Sequence, residues 1–205
     1  MSHPTTVRPR WHLALAAVLP LAALAAIAAG AAATAAPTPP VVGSAAAGPD
    51  HHDGDHTMST DDRSAAMRAT AGFQDVAVAE GAGYVSSMNT LGCFQNPGTG
   101  GMGLHYINDG LMDGIVDITE PEALVYELDA SGQIAGLVGH EYIVPIDAWT
   151  SNRPPRLFGM DFHRHPTLPL WVLHTYLWKA NPAGVFADWN PAVRLCPAGV
   201  PIFGT

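Results

Sequence analysis

The sequence predicts an α+β domain: a small, mostly antiparallel β-sheet with one N-terminal helix packed on it and a single disulfide. Three observations lead there. A helix-start signal opens a stretch with a broad apolar face between residues 60 and 80, and from Cys93 onward the pattern changes to short apolar runs separated by Gly, Pro and Asn. Two cysteines, Cys93 and Cys196, bracket nearly all of those runs. Helix first and strands afterwards is the order of an α+β fold rather than of alternating βα units.

The 205 residues divide into an N-terminal segment, 1–36, a linker, 37–62, and one globular domain, 63–205. Arg8 and Arg10 precede an uncharged apolar run, LALAAVLPLAALAAIAAGAAATAA, and small residues follow at Ala33, Thr34, Ala35 and Ala36. This is the pattern of a secretory signal peptide with cleavage near Ala36, although a run of this length also serves as an uncleaved membrane anchor. No cysteine follows the run closely and no Arg-Arg pair precedes it, which excludes lipoprotein and twin-arginine routes. The expected location is therefore periplasmic or extracellular. An oxidising compartment favours a Cys93–Cys196 disulfide, with two separate buried thiols as the alternative.

The linker PTPPVVGSAAAGPDHHDGDHTMSTDD has no periodic apolar pattern. Its HHDGDH tract (His51, His52, Asp53, Asp55, His56) reads either as a solvated spacer or as a flexible chelator of Cu or Zn. Ser59 or Thr60, followed by Asp61 and Asp62, caps a helix running to about Glu80 and ending at Gly81 or Gly83. Met67, Ala71 and Val78 give that helix a face for the sheet, broadened by Phe73, Val76 and Ala77.

Four strand-like runs follow: LGCFQNPGTGGMGLHYIN, EALVYEL, QIAGLVGHEYIVPI and LPLWVLHTYLWKAN. DASG joins the second and third as a hairpin. Between the third and fourth lies a proline-rich stretch carrying Arg153, Arg156, His163, Arg164 and His165, read as a charged loop over the sheet edge; an anion site is the alternative. Asp109, Asp113 and Asp117 are turn and cap positions, since their spacing does not match a calcium loop. Asn181-Pro182 starts a single helical turn through Phe186.

Alternation along the strands selects the candidate site. His174 shares a face with Val172, Tyr176 and Trp178; His105 with Gly103 and Ile107; and Glu141 with Leu137, Gly139 and Ile143, while His140 lies opposite. If the strands are neighbours, His105, His174 and either Glu141 or His140 meet. Two imidazoles and a carboxylate form a shell for a divalent transition metal such as Cu or Zn, and Tyr176 and Trp178 would line a ligand-binding face beside it. The same groups can instead bond each other as a buried polar network.

Charge and motifs narrow the function classes. All 18 acidic residues lie after residue 36, so removing Arg8 and Arg10 from the nine basic residues leaves seven and a formal charge of −11. Such a surface repels nucleic acid and anionic lipid, leaving the membrane accessible only through an uncleaved N-terminal segment. No GxSxG elbow occurs and both cysteines are committed to the disulfide, so covalent nucleophilic catalysis has no support. What remains is an exported protein binding a metal ion or small ligand, a metal-dependent enzyme using His105, Glu141 and His174, or a structural exported protein without a ligand.

The stretches GGMGLHYIN, ALVYEL, GHEYIVP and LHTYLWKANPAGVFADWNP together resemble a group of uncharacterised exported proteins of bacteria and archaea. Its members read GMGxHY, PExLxY, VEYxV and LHxWxWxxNPxGxFAxWNPxVxC. The resemblance runs from about residue 65 to Cys196; Tyr176 stands where that pattern has Trp, and the chain continues past Cys196 to Thr205. It implies export and a shared fold but carries no activity.

Overall fold

The computed structural model describes residues 58–203; the apolar N-terminal run and the HHDGDH tract lie outside them. Among the described residues no helix is long and apolar enough to cross a membrane.

The helical region begins where the sequence indicates. The Ser59 hydroxyl accepts from the Asp62 amide at 3.1 Å, capping α1 (Thr60–Thr70), and Asp61 and Asp62 lie in its first turn against the positive end of the helix dipole. The helix does not run unbroken to Glu80. A 3-10 turn, Ala71–Gln74, intervenes, and α2 (Val76–Gly81) starts afresh with the Asp75 carboxylate accepting from the Ala77 amide at 3.0 Å. Asp75 is extended there (φ −91°, ψ 113°), a local side-chain cap winning over continuation of the helix. The break is held from outside by the Tyr126 hydroxyl, which donates to the Phe73 carbonyl at 2.6 Å.

The strands are β1 (Val85–Ser86), β2 (Cys93–Asn96), β3 (Gly100–Ile107), β4 (Ala123–Leu128), β5 (Ile134–Pro145), β6 (Arg156–Leu157), β7 (Met160–Asp161), β8 (His163–Arg164) and β9 (Leu170–Thr175). Seven form one antiparallel sheet in the order β1-β3-β4-β5-β9-β8, with β2 pairing the first half of β3 while β1 pairs its end. β6 and β7 form a separate ribbon. β4 and β5 are a hairpin whose turn is chemically specified: Asp129 accepts from the Ser131 and Gln133 amides at 2.8 and 3.0 Å, and Gly132 takes φ 83°, a conformation that glycine adopts at little cost. In the charged loop, β8 caps one sheet edge as expected, with Arg164 4.7 Å from the centroid of the Trp171 ring. Asp113 and Asp117 close local turns by accepting from Ile115 and Thr119 amides at 2.6 and 2.7 Å.

Period-two alternation divides the sheet into two faces. One carries Leu104, Tyr106, Leu124, Tyr126, Tyr142, Val144 and Leu173, which pack against the helices and against Phe158 and Phe162. Three buried tyrosines on or beside this face tie loops down through their hydroxyls: Tyr84 to the Pro121 carbonyl at 2.7 Å, Tyr126 to Phe73, and Tyr142 to the Ile118 carbonyl at 2.8 Å. The other face carries His105, Ala123, Val125, Glu141, Ile143, Val172 and His174, with Phe94 of β2 beside them.

The chain after β9 returns across this second face. Asn181 and Pro182 open two successive turns rather than a helical turn: the Asn181 side chain accepts from the Ala183 amide at 2.9 Å, and its amide group reaches forward to the Trp189 carbonyl at 3.1 Å. Asn190 is fully buried and its backbone bridges Gly101; a Cβ on Gly100 would lie 2.5 Å from the Asn190 carbonyl, so only glycine permits this approach. Cys93 and Cys196 are disulfide-bonded across 103 residues, and Ile202 pairs in parallel with Cys93. Helices on one face and a returning chain on the other enclose the seven-stranded antiparallel sheet; the mostly antiparallel sheet, the N-terminal helical region and the disulfide are as the residue pattern implies, while the break in the helix and the β6–β7 ribbon are not.

Candidate metal centre

The strand register brings the candidate residues together. Glu141 on β5 lies opposite His174 on β9 and opposite Ala123 on β4; His105 on β3 lies one row along, opposite Val125. Ala123, opposite Glu141 on the intervening strand, has only a methyl group, which leaves room on this face for the two side chains to approach diagonally across β4. His105 Nε2 is 3.1 Å from Glu141 Oε2, and His174 Nε2 is 3.5 Å from Glu141 Oε1. The three side chains are at most 9% exposed, and one nitrogen or oxygen from each lies within 4.8 Å of the others. That spacing suits a common ion at the roughly 2.0–2.2 Å bond lengths of imidazole and carboxylate ligands.

Proximity here is not the same as hydrogen bonding. Both ring nitrogens of His105, and Nε2 of His174, have no aligned hydrogen-bond partner although all three atoms are buried. Polar atoms this deep are nearly always satisfied, because leaving them bare costs on the order of 1–3 kcal/mol each. The 3.1 Å contact between His105 and Glu141 is close but not aligned as a hydrogen bond. These three nitrogens, with the Glu141 carboxylate, form a group that could hold a metal ion.

His174 is oriented from behind. Its Nδ1 is 3.0 Å from Asp188 Oδ1, and the other carboxylate oxygen of Asp188 is 3.3 Å from His163 Nε2. A carboxylate on one imidazole nitrogen fixes the tautomer and turns the second nitrogen, here Nε2, into a lone-pair donor; this is the usual support of a metal-bound histidine. Tyr176 contributes indirectly, its hydroxyl donating to the Asp188 carbonyl at 3.0 Å.

Charge follows from the same geometry. Burial alone would raise the Glu141 pKa, but the adjacent His174 and then His105 outweigh it and hold the carboxyl at about 2. Burial likewise opposes a charge on His174, yet Glu141 and Asp188 together move its pKa above the ordinary value. Asp188 is depressed as well: burial opposes its charge, and contacts with His163 and His174 prevail. His140 behaves oppositely. Fully buried on the helix-covered face, it is pushed by desolvation to about 3, and its Nε2 accepts from the Trp178 indole N–H at 3.3 Å. It is a neutral core residue, which resolves the choice between His140 and Glu141 in favour of Glu141.

The expected ligand-facing role of Tyr176 and Trp178 needs correction. β9 ends at Thr175; Tyr176 N donates to the Val185 carbonyl, and Trp178 N and Lys179 N donate to the Val138 carbonyl, so the ladder stops there: Tyr176 still packs on the His174 side, against Phe94 and Val125, but alternation fails by Trp178. Trp178 turns to His140 on the far face, and neither residue lines the cavity beside the triad. That cavity, about 290 Å³, takes its aromatic wall from Phe94, Trp189 and Phe203 instead, with Phe203 stacked on Phe94 at 4.3 Å. Its remaining walls are mainly aliphatic, and His105, Glu141, His174, His163, His165 and Asp188 supply most of its polar edge.

Strand alternation found the three candidate ligands but not Asp188, His163 or His165. Asp188 lies in FADWNP, where the only signal was a lone carboxylate between turn dipeptides. Cys93 and Cys196, both predicted as paired, are joined and sit beyond the cavity rather than in it. No protein-family model, curated protein or solved structure matches this chain.

Proposed function

We propose that this is an exported protein that binds a divalent transition metal ion through His105, Glu141 and His174. The observation that carries the reading is the set of three buried ring nitrogens lacking aligned partners around one buried carboxylate. Two imidazoles and a carboxylate accept Zn, Cu or Fe, and copper or zinc are the ions a chelating linker such as HHDGDH would also collect. The disulfide and the apolar N-terminal run support export, and the resemblance to exported bacterial and archaeal proteins agrees with it. An acidic surface supports a cationic partner over nucleic acid.

A second reading is favoured by one feature: three protein ligands leave a coordination position free, and the cavity adjoins the triad. Structural zinc sites use four protein ligands, whereas catalytic ones hold three and an exchangeable water. A metal-dependent enzyme would use that position for water or substrate, with Glu141 as ligand rather than base. Detection of a metal-bound water exchanging with solvent would support it.

The deciding experiment is elemental analysis of protein purified from the exported fraction, with and without residues 37–57, alongside its intact mass. One equivalent of metal that survives linker removal and is lost in His105→Ala and His174→Ala is the expected result, with a mature chain beginning near Pro37. Metal lost only with the linker would instead assign chelation to HHDGDH. Asp188→Asn should retain metal but bind it about 10–100-fold more weakly, as expected when the group orienting a ligand histidine is altered. Unchanged affinity in that variant, measured by competition with a chromophoric chelator, would remove Asp188 from the centre.

A further inference from the structure

Resting on that metal reading, we infer that the cavity beside the triad receives a small apolar molecule carrying one carboxylate, whose oxygen completes the coordination of the ion. Charge balance supports the head group. A divalent ion held by two neutral imidazoles and the single carboxylate of Glu141 retains one positive charge, which a singly charged oxygen ligand neutralises. Asp188 does not supply that charge, because its carboxylate is engaged with His174 and His163.

His165 adds a directed donor. Its Nδ1 accepts from the backbone amides of Thr167 and Leu168 at 3.2 and 3.0 Å, which places the ring proton on Nε2. His165 lines the cavity, and in this tautomer its Nε2 would meet a ligand there as an N–H rather than a lone pair, suited to an oxygen acceptor and unsuited to a fourth metal bond. The T-shaped contact with Phe203, 5.8 Å between centroids, keeps the ring at the wall.

The body of the ligand is set by the remaining surface. Ile107, Met112, Ile143, Leu168, Leu170 and Val172 supply an aliphatic wall, and among the described residues no lysine or arginine lines the space, so beside the ion a carboxylate would find only His donors there, with Asp109 the remaining acidic lining group. A volume of about 290 Å³ is at the lower end of the usual range for small-molecule sites, roughly 300–1,000 Å³, which disfavours large ligands, and the mainly apolar lining disfavours highly hydroxylated ones.

The test uses the disulfide-bonded protein loaded with Co2+, whose visible bands report on directly coordinated groups, titrated with hexanoate, acetate, hexanol and hexylamine. Hexanoate should shift the Co2+ bands at concentrations at least about tenfold lower than acetate, since the added methylenes are buried, while hexanol and hexylamine leave the bands in place. Equal potency of hexanoate and acetate would overturn the apolar body. Hexanoate binding seen by calorimetry without a band shift would overturn coordination by the head group. Both results leave the metal centre standing, whereas a chain that takes up no Co2+ would retire the metal reading and this inference together.

Discussion

Replacing Cys93 and Cys196 together with serine is expected to lower the stability of the domain by about 4–5 kcal/mol, the entropy lost when a loop of this length is closed in the unfolded chain. The 103-residue separation places the bond near the upper end of what loop closure contributes. The effect should fall on the unfolded state, because the native junction is independently held: the Cys93 amide donates to the Pro201 carbonyl at 2.8 Å, and the Phe203 amide to the Cys93 carbonyl at 2.9 Å. Against a total stability of roughly 5–15 kcal/mol, that is a large fraction. Urea unfolding of the double variant would show it as a lower midpoint with a steeper slope, since the unfolded chain without the cross-link exposes more surface; a midpoint equal to the parent's would refute the assignment.

Glu122→Gln is expected to stabilise the fold at pH 8 while changing little at pH 4. Glu122 is 3% exposed, and burial raises its pKa to about 8 despite the Ile143 amide donating to its carboxyl at 2.8 Å. The folded chain thus keeps a proton that the unfolded chain releases near the ordinary value of 4.5. The stabilisation linked to that proton is fully present below pH 4.5 and is lost as pH rises toward 8, by as much as ~4 kcal/mol in the fully buried limit. Glutamine still accepts the Ile143 amide but carries no charge to desolvate. The signs for Glu141 and Asp188 are opposite: both pKa values are depressed, so their contribution is present at neutral pH and disappears only as pH falls below the ordinary carboxylate range. Parallel urea titrations of parent and variant at pH 4 and pH 8 separate the two behaviours; an equal difference at both pH values would contradict the buried, protonated state of Glu122.

The residues show which parts of this architecture can be read without coordinates. His105, Glu141 and His174 could be placed on one face because each lies inside a strand, where period two fixes side-chain direction. The same rule kept Tyr176 on the His174 side, where it packs with Phe94 and Val125 without reaching the cavity, but misplaced Trp178, since beyond Thr175 the backbone bonds to Val185 and Val138 rather than continuing the ladder. The hairpin at Asp129 and the cap at Ser59 were legible because their chemistry is local. Asp188, His165 and Phe203 reach the cavity through turns and long-range pairing, for which no spacing in the sequence gives a direction. The interrupted helix belongs to the same class: the Phe73 carbonyl is held by Tyr126, a residue 53 positions away.

The returning C-terminal segment also imposes a timetable on assembly. The three proposed metal ligands are all present once the chain has been made through Thr175, but Trp189 and Phe203 arrive only with the last stretch of synthesis, as does Cys196, the partner for which the Cys93 thiol must wait. A chain emerging from its N-terminus can therefore form the central strands and expose the triad before the aromatic wall exists. Pairing Cys93 with Ile202 closes one of the longest loops in the domain, the kind of contact that slows folding. The cavity can in this way close only after the central strands have formed, when the last stretch docks through the Cys93–Pro201 and Phe203–Cys93 backbone bonds.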